Sequence, residues 1–173
     1  MGQPKAKSVL MVVAHYNFRD EEYTAAREKL EAAGAQVTVA STIKEAVGMH
    51  GLKLPVDVLI DEVNPADYDA VVFIGGTGAS QYWHDVKAHE LARAAAERGK
   101  LVAASSHAPV TLAVAGLLKG KKATGHITVF EKLTVGGADY TGSKVERDGN
   151  IVTASGANAA REFGETLAQA IRA

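Results

Sequence analysis

Four short apolar runs constrain this chain more than any other feature. They are SVLMVVA from Ser8 to Ala14, QVTVA from Gln36 to Ala40, DAVVFI from Asp69 to Ile74, and LVAAS from Leu101 to Ser105. The first is apolar at almost every position, and so is the third after its Asp69. That pattern suits strands covered on both faces, not strands with one side in water. Helical patterns alternate with them. From Asp20 to Ala33, residues Tyr23, Ala26, Leu30 and Ala33 recur at three- and four-residue spacing, and Gly34 stands where a C′ glycine ends a helix. Further helices are expected from Val86 to Arg98, from Val110 to Leu117 ahead of Gly120, and from about Asn158 onward with Phe163, Leu167 and Ile171 along one face. The Val110–Leu117 segment is apolar all round and is expected to be buried. Strand and helix in alternation predict an α/β domain: a doubly wound, mainly parallel sheet with helices on both faces.

Other stretches are less regular. Residues 41–63 include LPVDVLIDEV, which reads as one or two short strands outside the main sheet. Asn64-Pro65 opens a turn, and Asp148-Gly149 reads as a hairpin turn between VER and NIVTAS. Thr124 to Tyr140 reads as irregular. At 173 residues, without a linker or internal repeat, the chain reads as a single domain spanning 1–173. A net charge of −1 with mixed signs throughout gives no surface for nucleic acid or membrane. No run reaches transmembrane length and MGQPKAK is too polar for a signal peptide, so a cytoplasmic location is expected. The sequence holds no cysteine, which excludes disulfides, thiolate metal sites and a thiol nucleophile.

In doubly wound sheets, ligands bind at the carboxyl ends of strands, near the reversal of strand order. Three connections meet that edge. The sharpest is KLVAASSHAP, where a strand runs into Ser106 and His107 and a helix starts at once. That is the layout of a nucleophile elbow, with small residues, Ala104 and Ala108, two positions either side of Ser106. An ordinary strand-to-helix turn with a serine N-cap fits the same string. The connection after the first strand, AHYNFRDEE, brings His15, Asp20, Glu21 and Glu22. Acidic residues there also favour the positive end of a helix dipole, the whole role expected of Asp20 and Glu21. The third connection, GGTGASQYWHD, is glycine-rich. A dinucleotide fingerprint belongs on the first such turn, which here has no glycine, and no Walker lysine is present. Gly75 and Gly76 instead let backbone approach a small substrate and offer an N–H to an oxyanion. His15 and His84 lie on these loops and are expected around the pocket, whereas His50 and His89 are expected in solvent. Tyr82 and Trp83 read as pocket wall or subunit contact. No histidine pair has ligand spacing on one helix face, so no metal site and no cofactor are expected.

The segment AASSHAPVTLAVAGLLKGKKAT resembles the nucleophile segment of the PfpI-type peptidase and protein deglycase superfamily, the DJ-1/PfpI family. The likeness extends to the opening strand and acidic turn, VNPADYDAVVFIGG, VERDGNIVTASG and the closing helix. The resemblance implies a flavodoxin-like three-layer sandwich, and a homodimer or higher homo-oligomer as its assembly. By position it places Ser106 at the nucleophile, which is usually cysteine, followed by His107. Glu22 stands at the acid that hydrogen-bonds the thiol, and the N–H groups of Gly76 and His107 form the oxyanion hole. His126 stands where some members carry a histidine near the pocket. The peptidase branch has a glutamate shortly after the double glycine. Ser80 stands there, with Asp85 the nearest substitute.

The resemblance implies glyoxalase or deglycase chemistry on small reactive carbonyl compounds, weak or absent with serine at 106, because a hydroxyl is far less acidic than a thiol. A PfpI-type peptidase or amidohydrolase using Ser106 and His107 is one alternative. A non-enzymatic, chaperone-like stress dimer is another.

Overall fold

The structure is a computed structural model that describes residues 5–172. Seven strands form the central sheet: β1 (Ser8–Val12), β2 (Gln36–Ser41), β3 (Val58–Leu59), β4 (Ala70–Phe73), β5 (Leu101–Ser105), β6 (Val145–Asp148) and β7 (Ile151–Ala154). Their spatial order is β6-β7-β5-β4-β1-β2-β3. Every pairing is parallel except β6 with β7, the hairpin that Asp148-Gly149 announced.

Side chains alternate along each strand, and this divides the core in two. Val9 and Met11 of β1, Ala70 and Val72 of β4, and Leu101 and Ala103 of β5 face one layer. There they meet helices α1 (Asp20–Ala32) and α5 (Ala160–Arg172) through Tyr23, Ala26, Leu30, Phe163 and Leu167. Leu10, Val12, Val71, Phe73, Val102 and Ala104 face the other layer. This one holds α2 (Val86–Glu97), α3 (Pro109–Val114) and α4 (Phe130–Val135). Each fully buried Leu or Phe stabilises this arrangement by roughly 1.5–3 kcal/mol relative to exposure. The expected doubly wound α/β sandwich is the fold observed.

Several local expectations need correction. Val58–Leu59 joins the edge of the main sheet beside β2, although 41–63 was expected to stay outside it. The remainder, Glu45–Gly48 and Lys53–Pro55, does form a separate small sheet, together with Tyr16–Phe18 from the first connection. The stretch from Thr124 to Tyr140 is not irregular throughout. It contains α4, and Lys122–Ala123 pairs with Asp139–Tyr140. Helix α3 stops at Val114, short of Leu117, and the segment is not buried throughout: Val114 and Gly116 are exposed and Leu117 is half-buried. The chain turns out of that helix at Gly116, whose φ is +85°.

Successive strands run outward from β1 in both directions, β2 and β3 to one side and β4 and β5 to the other. The crevice between β1 and β4 is therefore the topological switch point, with the exits of β1, β4 and β5 side by side above it.

Candidate active site

At the end of β5 the backbone makes the sharp turn that the elbow string predicted. Ser106 has φ +49°, left-handed backbone that a residue with a side chain seldom adopts. Its carbonyl accepts the His126 N–H (2.9 Å) and its N–H donates to Ala154 O (2.9 Å), so neighbouring connections hold the turn from both sides. The side chain is only 2% exposed.

Gly75 and Gly76 close over the elbow from the end of β4. The Gly75 N–H donates to Ser105 Oγ (3.0 Å) and the Gly76 N–H to Ser106 Oγ (2.9 Å). The Gly76 amide is thus aimed at the side-chain oxygen of residue 106 itself. Both glycines are required by packing. A Cβ on Gly75 would lie 1.8 Å from Ser106 Oγ and 2.7 Å from Glu22 Oε1. At Gly76 φ is +104°, and a Cβ there would meet the Arg19 nitrogen at 2.6 Å.

Glu22 enters from the first turn of α1 and is 1% exposed. The Arg19 N–H donates to Gly75 O (2.8 Å), which ties the start of this helix to the double glycine. Burial pushes the Glu22 carboxyl above the usual carboxylate range, against the pull of the Ser105 and Ser106 hydroxyls and the Arg19 charge. Its Oε1 has no hydrogen-bond partner among the described residues. Glu22 is thus a buried acid, held toward its protonated form, beside an alcohol.

His107 follows the elbow, and the Trp83 indole braces it by donating to His107 O (2.8 Å). Its ring stacks on His126, with centroids 4.6 Å apart and planes 18° from parallel. Burial, and then the neighbouring His126, lower the His107 pKa from its ordinary value. These groups line a cavity of about 580 Å³ that reaches from Arg19, Glu22 and Met49 across Ser106 to Thr128, Ser155 and Asn158.

The structure therefore brings together Ser106, His107, Glu22, Gly76 and His126, with Gly75 directly beneath. It does not bring His15 or His84 to them. The Nδ1 of His15 contacts Thr42 Oγ1 (3.2 Å) on the far side of the switch point, and exposed His84 borders a separate depression with Val110, Val114 and Val135. His50 is exposed as expected, but His89 is half-buried with Nε2 at 2.9 Å from Trp83 O. Tyr82 is a core residue whose hydroxyl donates to Val13 O (2.8 Å). Asp85 caps α2 by accepting the Ala88 N–H (2.9 Å), and exposed Ser80 supplies no acid in its place. Among the described residues no group of three or more metal-ligating side chains occurs, and no helix is long and apolar enough to cross a membrane.

Arg19, Met49, Thr128, Ser155 and Asn158 were missed in the sequence. Arg19 alone carried a signal there, as a cation one position ahead of an acidic helix start.

The chain is similar to proteins of known sequence and structure. A protein of Methanocaldococcus jannaschii is 43% identical over 171 residues, covering 96% of this chain and 83% of its own. The deglycase PfpI of Pyrococcus furiosus is 34% identical over 145 residues, covering 83% of this chain and 87% of its own. The crystal structure of a ThiJ/PfpI domain protein from Brachyspira murdochii superposes with a TM-score of 0.94 at 31% identity, covering 98% of both chains. With the family model matched from residue 7 to residue 170, this chain belongs to the DJ-1/PfpI family.

Proposed function

We propose that the cavity above residue 106 takes small reactive carbonyl compounds such as methylglyoxal, and that its glyoxalase- or deglycase-type chemistry requires a thiol at that position. One observation carries this reading: the residue-106 side chain lies between a backbone N–H donor, Gly76 at 2.9 Å, and the buried carboxyl of Glu22, whose pKa burial raises. A donor and a proton-holding acid stabilise a thiolate that forms readily near neutral pH. They do nothing to remove the proton of an alcohol, which needs a base within hydrogen-bond reach. Among the described residues, Ser106 Oγ has no hydrogen bond to either ring nitrogen of His107. A relative named as a deglycase supports the deglycase-type half of this reading.

With a thiolate at 106, the sulfur adds to the aldehyde carbon while Glu22 protonates the carbonyl oxygen and regains from water the proton the thiol released, giving a hemithioacetal beside a protonated Glu22. A base then moves the proton on that carbon to its neighbour, and water releases a hydroxy acid. The test compares methylglyoxal consumption by the chain as it stands with a Ser106→Cys variant. The variant is expected to be faster by at least ~10²-fold, about what one lost general-base contribution costs. A folded Ser106→Cys protein that neither consumes methylglyoxal nor shows an adduct at position 106 by mass spectrometry would overturn the reading.

A further inference from the structure

His107 and His126 arrive from different connections, yet one residue joins their rings. The Thr128 N–H donates to His126 Nδ1 (3.2 Å). Thr128 Oγ1 lies 2.7 Å from the same nitrogen and 3.4 Å from His107 Nε2.

These contacts fix the protons by elimination. While His126 Nδ1 accepts the Thr128 N–H it carries no proton, so the 2.7 Å contact is the Thr128 hydroxyl donating. A threonine hydroxyl has one proton to give. Oγ1 can then only accept from His107, which places the His107 proton on Nε2. The other ring nitrogen of His107, Nδ1, keeps its lone pair. It is buried and has no hydrogen-bond partner among the described residues. Burial also keeps this imidazole neutral at physiological pH.

We propose that Thr128 is a positioning residue that sets the tautomers of both histidines, leaving His107 Nδ1 as the proton acceptor of the site. The catalytic half of this inference rests on the carbonyl reading above. In that reaction the proton on the hemithioacetal carbon passes to Nδ1. Its bonding pair becomes the carbon–carbon double bond of an enediol as Glu22 protonates the adjacent carbonyl oxygen. Nδ1 then returns its proton to the second carbon, and the first hydroxyl gives its proton back to Glu22. No proton is gained or lost. A His107 with its proton on Nδ1 could not begin the sequence.

Two-bond 1H–15N correlation spectra of the 15N-histidine-labelled full chain report each tautomer directly, with assignments from His107→Gln and His126→Gln variants. Both rings are expected as Nε2–H. Thr128 is exposed, so Thr128→Val should fold normally while losing only the hydroxyl. In that variant His126 stays Nε2–H, held by the backbone N–H, while a substantial Nδ1–H population appears for His107. Thr128→Ser restores the original pattern. In the Ser106→Cys background, Thr128→Val is expected to lower kcat for methylglyoxal about tenfold, part of what a general base contributes, with KM little changed. An Nδ1–H tautomer of His107 in the unmodified chain overturns the inference, as does a Thr128→Val variant with unaltered His107 signals. A changed tautomer with unchanged kcat overturns the catalytic half. If Ser106→Cys is itself inactive, the carbonyl reading falls, and the spectra alone decide the role of Thr128.

Discussion

Gly75 shows how tightly single residues are specified at this edge. Its hydrogen occupies the space between the elbow and α1, and a methyl group there would overlap Ser106 Oγ and crowd Ser105 O at 2.3 Å. Two of those obstacles belong to the elbow, which β7 and the His126 connection already fix through hydrogen bonds, so the strain cannot be relieved by one side-chain rotation. Gly75→Ala is expected to lower stability in urea denaturation by about 1–3 kcal/mol, the range for overpacking. Gly34→Ala makes a useful comparison. Nothing lies within 4 Å of a Cβ there, and only the strain of φ +89° remains. A Gly75→Ala protein no less stable than Gly34→Ala would show that the elbow yields more easily than its contacts indicate. Residues of this kind were legible because their constraint is local: the double glycine and the small residues around Ser106 are read within one turn of chain. Met49 and Asn158 were not, because they reach the site only where distant connections converge. His15 and His84 shared the correct edge but left it in the wrong directions.

Helices α1 and α5 cross where Gly164 meets the backbone of Ala25. A Cβ on Gly164 would lie 2.7 Å from Ala25 O and 2.9 Å from Lys29 Cγ. Glycine inside a helix costs about 1 kcal/mol relative to alanine, so propensity alone favours Gly164→Ala. Contact with a backbone oxygen opposes it, and that oxygen moves only with the whole of α1. The packing cost of about 1–3 kcal/mol is expected to prevail, giving a lower Tm for Gly164→Ala. A raised Tm would mean the two helices can separate slightly at no cost. The sequence disclosed α5 through Phe163, Leu167 and Ile171, whose spacing marks the buried face, but gave no sign that Gly164 touches another helix. Length decided which elements could be read. The thirteen residues of α1 display a repeating face. The six of α4 bury only Leu133, and the two of β3 show no period at all.

Glu22 is buried and His107 half-buried where the site meets the sheet, so the site leaves a mark on the stability of the whole fold. Burial raises the Glu22 pKa above its ordinary 4.5, and the native state therefore holds a proton that the unfolded chain has released. Stability falls as pH rises from 4.5 through the native pKa, and the full penalty persists above it. For His107, burial and His126 lower the native pKa, so its contribution rises with pH up to about 6.5, the ordinary histidine value. Near the surface, Asp69 is partly desolvated, but the Ser8 N–H and Lys100 hold its carboxyl low, and its contribution is lost in acid. Subtracting two proteins that differ only at Glu22 cancels the His107 and Asp69 parts. Glu22→Gln keeps the shape of the protonated acid and removes its ionisation. The stability gained by this substitution is therefore expected to be larger at pH 8 than at pH 4.5, where the native acid holds its proton more than the unfolded one does and so resembles the amide more closely. Urea unfolding of the two proteins at both pH values measures the difference. Equal gains at the two pH values would mean that Glu22 ionises in the native state as it does in the unfolded chain. The carboxyl could not then be the proton-holding acid that the carbonyl chemistry at residue 106 requires.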